Sequence, residues 1–222
     1  MHSVSSYTPL QYTWSLYYDT LEGTNQQPKH HRHDYISHVH HVTTVSTVEE
    51  FWSVYNHILS PAELANSSNC HFFKSHIKPM WEDPVNKYGG KWVLTMKNQP
   101  EMLNQVWLEM LLTLIGDQFQ KPGHICGAVA SRRKKADKIA LWTRSKRRTQ
   151  NILVCKGIIQ ILFRVKQVPQ SGKRQFLKGL AQGTGGMTLV FMHHNDALRS
   201  GSSYQNYAHI AVDECLEDLM KA

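Results

Sequence analysis

KPMWEDPVNKYGGKWVL, residues 78–94, reads as a loop that empties into a strand, and the other segments arrange themselves around that junction. Pro79 and Pro84 oppose helix on either side of Trp81, and Gly89-Gly90 marks a turn. Residues 91–97 then alternate, with Trp92, Leu94 and Met96 on the inward side. Trp81 and Glu82 therefore stand next to each other on a loop. An indole face stacks on a nucleobase and attracts cations, and a neighbouring carboxylate accepts paired hydrogen bonds from a donor edge such as N1–H and N2–H of guanine. Methylating guanine at N7 makes its ring cationic, which strengthens both contacts. Taken alone, Trp-Glu-Asp reads first as an ordinary partly buried aromatic beside a solvated acidic turn, because exposed aromatics and acidic turns are common. The neighbouring segments decide between the two.

Strand signals come first in the chain: Tyr12, Trp14, Leu16 and Tyr18 alternate within residues 11–19. A polar loop follows at 21–34. Ser46 with Glu49 and Thr47 with Glu50 each fit a capping box, so a helix is expected over 48–59, stopped by Pro61. Phe51, Tyr55 and Ile58 form its core stripe; Val48 and Trp52 form a second, offset stripe that core packing alone does not require. Residues 71–77 read as the strand leading into the Trp81 loop. A helix over 101–115 carries Leu103, Val106, Trp107, Met110, Leu111 and Leu114 at helical spacing, with Gly116 as its C-terminal cap. Leu108 and Leu112 fall on another face beside Glu109. Strands at 125–131 and 138–143 flank Arg132, Arg133, Lys134 and Lys135, which with Lys138 put five cations at a hairpin tip, either a solvated turn or a phosphate clamp. A long amphipathic helix is expected over 149–166, an insertion or mobile loop over 168–186, strands at 187–193 and 207–212, and a short helix at 213–220. The sum is an α+β domain: a strongly curved, mainly antiparallel sheet with helices on one face.

Bulk properties narrow the function class. The 222 residues suffice for one domain with a real core, expected to span 1–222. A net charge of +8 favours anionic partners. Cys70, Cys126, Cys155 and Cys215 lie far apart and suggest reduced thiols in a cytosolic or nuclear protein rather than a zinc ribbon or disulfide framework. No apolar run is long enough to span a bilayer. His30, His31, His33, His38, His40 and His41 form a cluster, but apart from Asp34 no carboxylate or thiol stands at ligand spacing, so it reads as a solvated, pH-sensitive loop, and no metal or cofactor is expected.

The run PMWED, the Gly89-Gly90-Lys91-Trp92 after it, VEEFWSVYNHI at 48–58, WLEMLLTLIG at 107–116 and CGAVASRRKKADKIALWT at 126–143 resemble the eukaryotic translation initiation factor 4E family, in family order and nearly family spacing. That family binds the 7-methylguanosine cap of messenger RNA. The resemblance implies helices on the convex face of the sheet and a cap pocket on the concave side, with the methylated base between two rings. Trp81 matches one ring and Glu82 the base-reading carboxylate. Tyr35 falls at the position of the second ring, where the family usually has tryptophan. Trp142 matches the residue packing on the N7 methyl group. Arg133, Lys135 and Lys138 match phosphate-facing cations, Lys91 an assisting one where arginine is commoner, and Arg199 a C-terminal loop cation.

The resemblance also gives the spare apolar faces a use. Pro9, Val48, Trp52, Leu108, Glu109 and Leu112 match a surface that receives a Tyr-x-x-x-x-Leu-apolar helix from the initiation scaffold or from a competing repressor, while Thr8 stands where histidine is usual. The protein is then a non-enzymatic initiation factor, monomeric apart from capped mRNA and such a partner. One alternative is a repressor-type paralogue that sequesters capped mRNA. A cap or nucleotide hydrolase is the remote one, since cations rather than metal-binding carboxylates gather along the phosphate path.

Overall fold

The computed structural model describes residues 7–20 and 38–195. Tyr35, Arg199, Cys215 and the elements expected at 207–212 and 213–220 lie outside them. Among the described residues seven strands form one antiparallel curved sheet: β1 (Pro9–Thr20), β2 (His40–Thr47), β3 (Ser68–Lys74), β4 (Gly90–Met96), β5 (Ile125–Ser131), β6 (Asp137–Thr143) and β7 (Met187–His193), in the order β2-β1-β3-β5-β6-β4-β7. Among the described residues four helices, α1 (Val48–Tyr55), α2 (Pro100–Ile115), α3 (Arg148–Val165) and α4 (Lys173–Gln182), accompany it.

Strand alternation sorts the side chains onto two faces. Trp14, Leu16, Phe72, Trp92, Leu94, Met96, Ile139, Leu141, Leu189 and Phe191 join the buried helix residues in the main core. Their alternates Phe73, Val93, Val129, Ala140, Trp142 and Met192 form a second, smaller cluster, against which Trp81 and Val85 of the loop after β3 pack. The helices thus occupy one face and the Trp81 loop the other. Asn151 pins α3 to the sheet: its carbonyl accepts from Trp92 Nε1 at 3.0 Å and its Oδ1 from Thr143 Oγ1 at 2.9 Å.

Three local expectations change, the first being that β3 runs Ser68–Lys74 rather than 71–77. Thr47 and Glu50 form the capping box of α1, while Glu49 Oε2 instead accepts from the Thr8 amide at 2.9 Å. The helix stops at Tyr55 rather than continuing to 59, its end closed by Asn56 N–H donating to Trp52 O at 3.1 Å. Gly116 caps α2 as expected, with a negative φ of −81°, and the left-handed residue is Asp117 at 56°. The largest correction is at 168–186, expected as a loop: the segment holds α4, whose Leu177 and Leu180 are buried against the main core and whose Phe176 packs on it. Gly183, at φ 71°, ends the helix in the left-handed conformation that glycine adopts at least cost.

Candidate nucleotide-binding site

The loop between β3 and β4 is braced from within. Asp83 accepts from the amides of Lys78 and Val85 at 2.9 Å each, and the buried Asn86 amide donates to the carbonyls of Lys78 and Met80 at 2.8 Å each. These bonds turn the backbone so that Trp81 lies half-buried on the second cluster and Glu82 faces solvent, making no hydrogen bond among the described residues. Gly89 closes the loop where only a residue without Cβ fits, because a Cβ there would sit 1.8 Å from the Thr143 carbonyl oxygen. An unspent carboxylate beside an accessible indole, on a rigid loop, is what reading the edge of a stacked base requires.

Lys91 is the next layer. Only 8% exposed, its Nζ lies 5.8 Å from the Trp81 ring and 5.7 Å from the Trp142 ring, so the ammonium is flanked by both indoles. Burial, with help from Arg133, pushes its pKa down to about 8. Lys138 is likewise pushed down to about 8 by burial, Arg133 and Lys91. Arg133 thus acts on both lysines and Lys91 on Lys138, which places the three within electrostatic reach of one another. Arg133 is held firmly: its guanidinium donates to Ser68 O at 3.0 Å, Arg132 O at 2.6 Å and Asn69 Oδ1 at 2.7 Å. Beneath it, Ser131 Oγ donates to the same Asn69 oxygen at 2.7 Å, and Asp19 receives Asn69 Nδ2 at 2.5 Å and pairs with His71 Nε2 at 2.7 Å. Lys135 stands apart, exposed at the hairpin tip, and Arg132 pairs with Asp137.

Trp142 is buried, edge-on to Phe73 at 5.5 Å and tilted 41° to His194 at 4.2 Å. Nothing in the sequence singled out His194. It is fully buried, its backbone N–H donates to Gly89 O at 3.2 Å, and neither ring nitrogen has a partner among the described residues. Burial, Lys91 and His193 hold its pKa well below the ordinary histidine range, so the ring is neutral. Asp83, Asn86, Asn69 and Asp19 were also missed as supports. Asp83 and Asn86 could have been read from their place in the Trp81 loop, whereas the others come together only through strand pairing.

The second group of expected residues lies toward the helical side. Pro9 pairs with Thr47 across β1 and β2, and the Val48 amide donates to Thr8 O at 2.9 Å, so Pro9, Val48 and Trp52 adjoin. Trp52 is 36% exposed, contacting Phe51 and Tyr55 of its own helix. Leu108 and Leu112 are half-buried on α2, and Glu109 is engaged by Arg164 Nε at 3.1 Å. Cys70, Cys126 and Cys155 are buried, and among the described residues none of them forms a disulfide. Among the described residues no helix is long and apolar enough to cross a membrane.

The family model of eukaryotic initiation factor 4E matches residues 9–208. The chain belongs to the eukaryotic initiation factor 4E family. It is 34% identical over 197 residues to eukaryotic translation initiation factor 4E-4 of Caenorhabditis elegans, 89% of this chain and 82% of that one. Other relatives match over a shorter stretch, the chain spanning 49% to 59% of their length. Among solved structures, C. elegans eIF4E-3 in complex with the 4E-binding protein Mextli and cap analog is 32% identical with a TM-score of 0.70, covering 87% of this chain and 96% of that one. Ascaris suum eIF4E-3 with m7G cap is 30% identical with a TM-score of 0.69, covering 92% and 97%. The sequence resemblance to the factor 4E family and the α+β reading both hold.

Proposed function

We propose that this factor 4E family member binds the 7-methylguanosine cap of messenger RNA and, through its helical surface, a translation initiation scaffold or a binding protein that competes with it. The observation that carries the reading is the free carboxylate of Glu82 beside the Trp81 indole, with Lys91 between that indole and Trp142. The cationic base stacks on Trp81, its N1–H and N2–H donate to Glu82, and Trp142 packs against the methyl group. Tyr35 supplies the second ring. Lys91, Lys138, Arg133 and Lys135 hold the phosphates. No bond is made or broken: binding is stacking, charge and hydrogen bonding. The relatives' complexes with cap and with a 4E-binding protein support the reading.

The direct test is quenching of tryptophan fluorescence by 7-methyl-GTP beside GTP. Cation–π stacking and a charge-assisted hydrogen bond together favour the methylated ligand by about 2–3 kcal/mol, or roughly 30- to 150-fold. Equal affinity for the two would remove the cap-binding reading.

A pH dependence follows from the lysines. With pKa values of about 8 in the free protein, Lys91 and Lys138 lose their protons as pH rises from 7 to 9.5, and a bound polyphosphate must pay to restore them. The advantage of 7-methyl-GTP over 7-methylguanosine, a ratio in which titration of the base cancels, is expected to shrink about tenfold over that range. Stability moves the other way. The folded pKa of Lys91 lies below its ordinary 10.5, so the unfolded chain binds more protons between those values and the burden on the fold is relieved as pH rises through them. Lys91→Met is expected to raise the thermal midpoint of the ligand-free protein at pH 7, and by less at pH 10. A phosphate advantage flat across pH would sink the lysine assignment.

A further inference from the structure

Charge is distributed unevenly along this chain. From Lys138 to Asn195 there are eleven lysines and arginines and no aspartate or glutamate, while the whole chain has 25 basic and 17 acidic residues. The remainder is slightly acidic, so the basic character belongs to this one stretch. Part of it serves the nucleotide site. Most does not, and α4 is a concentrated example, with Lys173, Arg174 and Lys178 within ten residues and Lys166 just before. Arg174 and Lys178 are exposed, and no described carboxylate pairs with either. Exposed like charges repel one another and weaken the fold unless a polyanion neutralises them.

Strand register locates the helix relative to the phosphate path. Asp137 of β6 pairs with Met96 of β4, and Met96 with Met187 of β7. The basic hairpin, Lys97 and the turn at 184–186 therefore share one end of the sheet. Lys97 N–H donates to Gly186 O at 2.8 Å, and Lys166 Nζ donates to Gln99 Oε1 at 3.2 Å, which ties the region of α4 to that same end. Along the site, Lys91 pairs with Trp142 in register and Lys138 with Thr95, one row from the hairpin. A phosphate chain whose base lies at Trp81 and Trp142 thus runs toward the hairpin end, and because α4 packs on the opposite, main-core face, a strand that follows the phosphates reaches α4 by rounding that end of the sheet at Lys97.

A cleft of about 370 Å³ opens there, lined by Lys166, Gln175, Phe176, Leu180, Thr184 and Met187 among others. Phe176 lies edge-on to Phe163 at 5.8 Å and is half-buried, with Lys173 Nζ 5.1 Å from the Phe163 ring. An aromatic ring, an amide, a hydroxyl and an ammonium around a space of this size suit a splayed base with its phosphate.

We infer that α4 and its cleft form a second nucleic-acid surface, which takes the single-stranded RNA immediately downstream of the cap through backbone charge and stacking. The inference rests on the cap-binding reading for the direction in which the RNA leaves. The charge and shape of the face do not depend on that reading.

The test compares wild type with the surface double variant Arg174→Glu/Lys178→Glu on three ligands: 7-methyl-GTP, a capped oligoadenylate of about twelve nucleotides, and the same oligonucleotide uncapped. By anisotropy at low salt, wild type is expected to bind the capped oligonucleotide roughly tenfold tighter than 7-methyl-GTP. The double variant is expected to lose most of that advantage and to flatten the logarithmic salt slope by about 1.4, the value for two phosphate contacts on a single strand. Its affinity for 7-methyl-GTP stays within about twofold, since neither residue touches the nucleotide site. No advantage in wild type, or one that survives the double variant, overturns the inference. If 7-methyl-GTP fails to bind while uncapped RNA binds through Arg174 and Lys178, the cap reading falls and this surface stands. Displacement of the oligonucleotide by polyglutamate but not by uncapped oligoadenylate would assign the face to an acidic protein and overturn it as well.

Discussion

Trp81→Ala is expected to lower affinity for 7-methyl-GTP by at least about 100-fold, because stacking and the cation–π interaction are lost together, at roughly 1–3 kcal/mol for each. The fold should tolerate the change. Trp81 is only half-buried, at the margin of the smaller cluster, and the loop backbone is held by Asp83 and Asn86 rather than by the indole. Glu82→Gln is the sharper companion. It keeps volume and exposure, but removes the negative charge and turns half of the acceptor pair into a donor facing N1–H or N2–H. A loss of about 1.5–3 kcal/mol, some 10- to 150-fold, is expected for 7-methyl-GTP, with an unchanged melting curve. The pair separates two kinds of failure: an effect of Trp81 without one of Glu82 would leave a stacking platform that does not read guanine. Calorimetric affinities within threefold of wild type for both variants would sink the site.

Trp52→Ala is expected to weaken binding of a Tyr-x-x-x-x-Leu-apolar peptide by about 2–4 kcal/mol, the range typical of a buried interface tryptophan. Affinity for 7-methyl-GTP should not move, because Trp52 lies on α1, among the helices of the main core, while Trp81 packs on the opposite cluster. Among the described residues only the rings of Phe51 and Tyr55, of the same helix, lie edge-on to Trp52, and it is 36% exposed, so little packing is lost on truncation. Glu109 adds a second feature to that surface. In the free protein it is held by Arg164, whose Nη2 also reaches Thr113 Oγ1 at 3.4 Å, so a partner's cation has to compete with a resident one. A peptide that binds wild type and Trp52→Ala equally would show that this face is not the docking site.

The places where sequence reasoning fell short have one cause in common. In α4 the apolar residues Phe176, Leu177 and Leu180 span barely more than a turn and are hemmed by Gly172, Gly179 and Gly183, so periodicity gave no signal. Burial against the core under β7 supplies the stabilisation that intrinsic propensity does not. Helix α1 shows the opposite error: Ile58 and Leu59 continue the apolar composition, but Asn56 already closes the last turn.

Local chemistry was enough to determine the strands of the sheet's centre, the capping box that starts α1, the Trp81-Glu82 loop and the basic hairpin, because alternation, proline, glycine and caps each act within a few residues. The tertiary structure alone decided that Lys91 lies close to two indole rings, that Arg133 is anchored while Lys135 is exposed, and that His194 closes against Trp142 with its ring neutral. Those relations depend on which strand pairs with which and in what register. Register is settled by burying both faces of a seven-stranded sheet at once, a condition that no short window of sequence contains.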